Sequence, residues 1–189
     1  GIKENSKKYA SVEAKGIADL YSDYSYVNND EGVVVLDIEV NFKNENDNSK
    51  IQNDQIDILL YSLSDRSLKF VEAKEFSNKE LWSKENTKPK VVDQINRYNR
   101  QIDNRNKEIL EEYKEYIGIV NKLFDINLPL PKKVRSKCGL YIFGFGSDQR
   151  EGKFKRLIKE DNSLKGIKSY AKGDPSDINS NTLWKRVTY

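Results

Sequence analysis

The segment Gln55-Ile56-Asp57-Ile58-Leu59-Leu60-Tyr61-Ser62-Leu63, then Ser64-Asp65-Arg66-Ser67, then Leu68-Lys69-Phe70-Val71-Glu72-Ala73-Lys74-Glu75 decides how the chain is built. Two apolar runs of strand length flank a short polar connection, the pattern of a β-hairpin. Strand side chains alternate in direction, so Leu68, Phe70, Glu72 and Lys74 share one face of the second run. Asp57 stands near the start of the first run. The hairpin can bring it beside Glu72 and Lys74 at the end of the second.

Upstream, Val33–Phe42 alternates and predicts a strand. Val34, Leu36, Ile38, Val40 and Phe42 make one face, while Val35, Asp37, Glu39 and Asn41 make the other. Ser6 to Tyr21 predicts a helix with Tyr9, Ala10, Ala14, Ile17, Ala18, Leu20 and Tyr21 on one arc. Glu13 falls inside that arc, where an unpartnered carboxylate is costly. Asn44 to Asn53 is polar and predicts a loop.

Downstream, Ser77 is expected to cap a short turn through Leu81 and Trp82, and Pro89 precedes a long helical stretch from Val91 to Phe124. Its apolar stripe holds Val91, Ile95, Tyr98, Ile102, Ile109, Tyr113, Ile117, Val120 and Leu123. Unbroken, that helix would be about 50 Å long, so a break near Asn104–Asn106 is expected before Pro129 and Pro131 end the stretch. Gly139–Phe145 predicts a strand, Asp148–Lys159 a helix and Ile167–Ala171 a short last strand. The tail from Asn179 to Tyr189 carries no decisive pattern. The order αβββαβ predicts the α/β class, a mixed central sheet flanked by helices in one domain over residues 1–189.

Composition narrows the chemistry. The 189 residues suit one domain, and 11% aromatics with clear strand runs exclude wholesale disorder despite 33% charged residues. No apolar stretch approaches the roughly 20 residues that cross a bilayer, and no signal-peptide core opens the chain, so no membrane partner is expected. A single cysteine, Cys138, excludes an internal disulfide framework and a cysteine-cluster zinc site, and is expected to be a buried core thiol. The absence of histidine removes Ser-His-Asp and Cys-His hydrolases, zinc metalloproteases and the usual zinc deaminases. Metal chemistry must then run on carboxylates and hard ions, magnesium or manganese. A net charge of +3 permits a nucleic-acid partner without arguing for one. With no methionine, the chain is expected to be an excised piece of a longer protein.

Two converging carboxylates, Asp57 and Glu72, suit a hard divalent ion, and a neighbouring lysine can position water or stabilise charge on a phosphate. Glu-x-Lys occurs four times, at Glu13/Lys15, Glu72/Lys74, Glu112/Lys114 and Glu151/Lys153. Only Glu72/Lys74 lies on an apolar strand that follows another strand opening with Asp. On spacing alone, a half-exposed strand face with a surface Glu and Lys accounts for the pair equally well.

Gln55-Ile56-Asp57-Ile58-Leu59-Leu60 with Lys69-Phe70-Val71-Glu72-Ala73-Lys74 resembles the core motif of the PD-(D/E)XK nuclease superfamily, the restriction-endonuclease-like fold. Gln94-Ile95-Asn96-Arg97-Tyr98 is similar to the QxxxY element that follows that motif in RecB-type members. The resemblance spans Glu13 to Tyr98, about half the chain. Ile56 stands in place of the proline in the superfamily's name, a position that varies widely among members.

The resemblance implies a restriction-endonuclease-like αβββαβ core and a role for each residue. Asp57 and Glu72 would bind catalytic Mg2+ (or Mn2+), helped by the Ala73 carbonyl. Lys74 would steer the attacking water and steady the phosphate, and Gln94 would reach in from the following helix, with Tyr98 packed in the core. Members often carry a glutamate on the first helix near the metal, which favours Glu13 as a further acidic residue, and Glu39 is the other candidate. Among the bases, Arg97, Arg100, Arg105 and Lys107 come from the long helix. Lys132, Lys133, Arg135 and Lys137 form a denser cluster and the better candidate for phosphate contact.

The implied activity is metal-dependent hydrolysis of nucleic-acid phosphodiester bonds without a covalent enzyme intermediate, with a DNA endonuclease expected ahead of an RNA one and the sequence not deciding between them. Two settings fit: a restriction or phage-defence system, or a toxin domain delivered from a secreted parent to a cytoplasmic site of action, with an immunity protein as partner. The alternative is a catalytically silent nucleic-acid-binding or protein-interaction module on the same fold. The intact Asp57, Glu72 and Lys74 argue against it.

Overall fold

The hairpin sets the centre of a six-stranded mixed sheet. A computed structural model describes residues 2–27, 32–42, 54–83, 87–155 and 164–189, with side chains described from Glu13 onward apart from Lys153. The expected loop at Asn44–Asn53 and the 156–159 end of the helix expected from Asp148 lie outside the described residues. In chain order the elements are α1 (Ile2–Tyr24), β1 (Val33–Phe42), β2 (Asp54–Ser62), β3 (Ser67–Glu75), α2 (Lys90–Asn104), α3 (Asn106–Phe124), β4 (Lys133–Val134), β5 (Gly139–Phe143), the turn α4 (Ser147–Gln149) continued by a wider π-helical segment over Arg150–Phe154 that kinks at Gly152, β6 (Ser169–Ala171) and α5 (Ser180–Val187). The sheet runs β1-β2-β3-β5-β6. β1, β2 and β3 are antiparallel neighbours, while β5 lies parallel to β3 and β6 parallel to β5.

Each face of the sheet buries its own apolar cluster. On one side Val34, Leu59 and Phe70 pack with Ile95 and Ile102 of α2 and Ile117 of α3. On the other, Val35, Leu60 and Val71 pack with Ile17 and Leu20 of α1 and Leu183 and Val187 of α5. This is a three-layer α/β arrangement, as the sequence predicts. The long helix breaks at Arg105, whose backbone (φ −106°, ψ 15°) leaves the helical region between α2 and α3. Cys138 is buried as expected.

The structure departs from the sequence reading in several places. β1 is not a simple alternating strand. Its register with β2 shifts between Val35 and Asp37, and Glu39 adopts φ +55°. As a result Ile38 and Ile58 pack with the α1 side while their neighbours Val40 and Ile56 pack with the α2 side. Within α1, Ala14 and Ala18 are exposed, whereas Gly16, Ile17 and Leu20 are buried. Alanine offers too little apolar area to orient a helix, so the larger side chains set the face. On α3 the buried stripe ends at Val120, and Leu123 is 71% exposed. Asn78 rather than Ser77 caps the turn at Lys79–Leu81, accepting from the Glu80 N–H. β5 stops at Phe143, where Gly144 takes φ +78°.

The tail forms α5, capped by Asn179, which accepts from the N–H groups of Asn181 and Thr182. Leu183, Trp184 and Val187 put its apolar side on the sheet. That approach depends on Gly139: a Cβ there would lie 2.6 Å from Cβ of Val187. Among the described residues no helix is long and apolar enough to cross a membrane.

Candidate functional site

The pairing of β2 with β3 ends at Ile58 opposite Val71. Past that point carboxylates take over from the departing strand. Asp57 Oδ2 accepts from the Ala73 N–H at 2.8 Å, and Glu13 Oε1 accepts from the Glu75 N–H at 2.8 Å. A strand residue's N–H and C=O point to the same side, so the Ala73 carbonyl faces the gap that Asp57 borders.

Glu72 projects from β3 on the α2 side and is 1% exposed. Its Oε1 lies 2.6 Å from Lys74 Nζ. Its Oε2 is buried and has no hydrogen-bond partner among the described residues. Burial, with the Asp57 carboxylate beside it, pushes Glu72 well above the ordinary carboxylate range, against the pull of Lys74. Burial also raises Asp57 to about 6, opposed by the Ala73 N–H and the Lys74 ammonium. The two carboxyl groups stand close enough to share a proton. A divalent cation would relieve the same repulsion. Burial alone would make Lys74 easier to deprotonate, but Glu72, then Asp57 and Glu13, outweigh it and raise its affinity for the proton.

Helix α2 closes the other wall. Tyr98 is buried and donates to the Gln55 carbonyl at 2.6 Å, and Gln94 Nε2 donates to Tyr98 Oη at 2.7 Å. Tyr98 is thus a core residue that also positions Gln94, whose Oε1 is buried without a partner among the described residues. The cavity between them, open to solvent, measures ≈ 500 Å³ and is bordered by Asp57, Glu72, Lys74, Gln94 and Arg97. Arg97 reaches Asp54 Oδ1 at 3.4 Å.

The sequence reading missed part of this wall. Glu80 Oε2 lies 3.2 Å from Lys74 Nζ, and Asp54, Lys90 and Asp93 also border the cavity. Only the Asn78 cap, which fixes the Glu80 backbone, left a local signal.

Of the other predicted residues, Glu13 stands beside the cluster, where its charge acts on Asp57 and Lys74, whereas Glu39, Lys132, Lys133, Arg135 and Lys137 do not converge there. Glu13 is half-buried, and its Oε1 also accepts from Asn78 Nδ2 at 3.1 Å, so it ties α1 to the end of β3. Glu39 is exposed: its positive φ turns the side chain out, and its carbonyl accepts from Gln55 and Asn41. Lys132, Lys133 and Lys137 are exposed near the start of β3, with Lys133 opposite Ser67. That end lies roughly 23 Å along the strand from Lys74 at about 3.3 Å per residue. Arg135 is engaged by Asp65 at 2.7 Å. A separate cavity of ≈ 260 Å³ lies between β1 and α3. There the Asp37 carboxylate already accepts from Tyr113 Oη and the Ile38 N–H.

Comparison of the chain with family models, with curated proteins and with solved structures finds no match. The site must therefore be judged on its own chemistry. Among the described residues no three acidic or cysteine side chains surround a common point. The available donors are two carboxylates, one with an orphaned buried oxygen, and the Ala73 carbonyl. That set fits magnesium, which keeps several waters and uses only one or two carboxylates.

Proposed function

We propose that the chain is a metal-dependent nuclease with a restriction-endonuclease-like core, hydrolysing phosphodiester bonds of nucleic acid, DNA in the first instance. The observation that carries this reading is the buried Asp57–Glu72–Lys74 cluster, in which two carboxyl groups stand side by side with one lysine. Two buried carboxyl groups side by side repel unless a proton or a cation lies between them, and in an open polar cavity that argues for a ligand. Asp57, Glu72 and the Ala73 carbonyl would hold Mg2+ or Mn2+, which when bound supplies Lewis acidity and a more acidic water.

The chain's own residues do the rest. Lys74 keeps its proton, because carboxylates surround it, and presents a fixed positive charge toward a phosphate oxygen. Glu80 pairs with the same ammonium at 3.2 Å. Gln94 offers its amide oxygen to a water or a substrate hydrogen at the cavity wall. Lys90 and Arg97 at the cavity border attract the phosphate backbone.

The test is a cleavage panel of duplex DNA, single-stranded DNA and tRNA with magnesium and with chelator. Cleavage is expected only with the metal. Absence of metal-dependent cleavage on every substrate would return the chain to a binding role.

A further inference from the structure

The strand that carries Glu72 and Lys74 continues one step into an aromatic cleft. Phe76 lies on the same face of β3 and prolongs the sheet, its N–H donating to the Phe143 carbonyl at 2.7 Å. Trp82 meets it edge-on with ring centroids 4.9 Å apart, and the indole Nε1–H is fixed by the Phe76 carbonyl at 2.9 Å. Phe145 and Phe154, stacked on each other, back Phe76. The cleft measures ≈ 540 Å³ and is lined by Phe76, Ser77, Trp82, Asp148 and Gln149. That is within the roughly 300–1,000 Å³ range of small-molecule sites.

The turn Lys79–Leu81 is a wall common to this cleft and the carboxylate cavity. Glu80 leaves it toward Lys74, and Trp82 leaves it toward Phe76. Leu81, fully buried, and the Asn78 cap hold the turn rigid between them. The two compartments differ in lining. Lys74, Lys90 and Arg97 stand among the five carboxylates Asp54, Asp57, Glu72, Glu80 and Asp93 at the cavity, whereas among the described residues the cleft's lining is mostly aromatic and polar, with Asp148 as its charged group. With a cation held by Asp57 and Glu72, a phosphate is met by that ion, Lys74, Lys90 and Arg97 in the first compartment. A flat ring with N–H donors suits the second, because it can lie on the indole while Asp148 accepts from its edge.

Resting on the reading of Asp57, Glu72 and Lys74 as a phosphodiester-cleaving site, we propose that this cleft receives an unstacked nucleobase of the strand being cut. The favoured bases are those with an exocyclic amine. The substrate is then single-stranded or locally unpaired nucleic acid, since a base inside a duplex cannot reach the indole.

The test uses Trp82 fluorescence in chelator, so that no cleavage occurs. The wild-type chain and Trp82→Phe are titrated with a cytosine-rich single-stranded oligonucleotide and with the blunt duplex of that sequence. The expected result is saturable quenching by the single strand, little by the duplex, and none in Trp82→Phe. In cleavage assays Trp82→Ala should raise KM for the single strand about tenfold, the size of one lost base–ring stack, with Trp82→Phe recovering it. Equal quenching by the duplex, quenching that persists in Trp82→Phe, or no quenching at all would overturn the proposal. Quenching without metal-dependent cleavage would instead keep the cleft and refute the nuclease reading. Cleavage of single strands with neither quenching nor a change of KM would do the reverse.

Discussion

Lys69 and Lys74 stand on opposite faces of one strand, and both are almost fully buried, at 1% and 7% exposure. Their surroundings drive them in opposite directions. Lys69 Nζ is held by the Lys137 carbonyl and lies 5.3 Å from the Tyr189 ring centroid, and burial depresses it to about 8. Lys74 is equally removed from water but faces Glu72 and Glu80, with Asp57 and Glu13 near, and its proton is held more tightly than in water. Burial by itself makes an amine reluctant to carry charge. Converging carboxylates turn the same burial into a fixed, charged group of the kind that phosphoryl chemistry uses.

The largest expected difference between the two lysines is in activity. Lys74→Ala should lower metal-dependent cleavage at least about a hundredfold, equivalent to ~2.7 kcal/mol on the barrier. Lys69→Met, which fills the same space without charge, should stay within about twofold of wild type, near the sub-kcal/mol scatter of changes outside a site. Parallel single-turnover assays make the comparison, and equal losses in the two variants would erase the distinction.

A second difference is in pH dependence. Asp57 is raised to about 6 in the folded chain, so the folded form binds more protons than the unfolded one between the ordinary aspartate range and that value. Stability in chelator should therefore fall as pH rises through this interval, and metal affinity should climb over the same range. Lys69 works with the opposite sign. Its folded value of about 8 lies below the ordinary lysine range, so the folded form releases a proton first and stability should rise as pH passes 8. Thermal melts across pH should show both slopes in the wild type, with Lys69→Met losing only the alkaline one.

The smallest effect concerns the two basic groups. Lys90 or Arg97 replaced by Ala should reduce the slope of log binding affinity against log salt by about one each. Lys132→Ala and Lys133→Ala, at the far end of β3, should change it less. A larger slope change at Lys133 would move the nucleic-acid path to that end of the sheet.

Much of this was legible in residue order. The hairpin, the break at Arg105 and the sharing of one face by Phe70, Glu72 and Lys74 follow from periodicity and turn chemistry. Asp57 could be placed beside Glu72 because a hairpin's register leaves few choices. What escaped has no local period. The positive φ at Glu39 redirects a side chain without altering the apolar pattern around it. Glu80 becomes part of the site only because a capped turn folds back over β3. β4 is two residues long, too short to alternate, and α5 shows its apolar side only against the assembled sheet. Glu13 was singled out correctly as a carboxylate that needs partners, and the structure supplies them as the Glu75 N–H and the Asn78 amide.

The central claim is that Asp57 and Glu72 together hold one divalent cation. Calorimetric titration with Mn2+, at a pH well above the value of about 6 for Asp57, tests it most directly. The wild-type chain should bind one ion, and Asp57→Asn should lose at least about tenfold in affinity, because an amide cannot supply the charge a hard cation requires. One-to-one binding of unchanged affinity in Asp57→Asn would place the ion elsewhere and contradict the account.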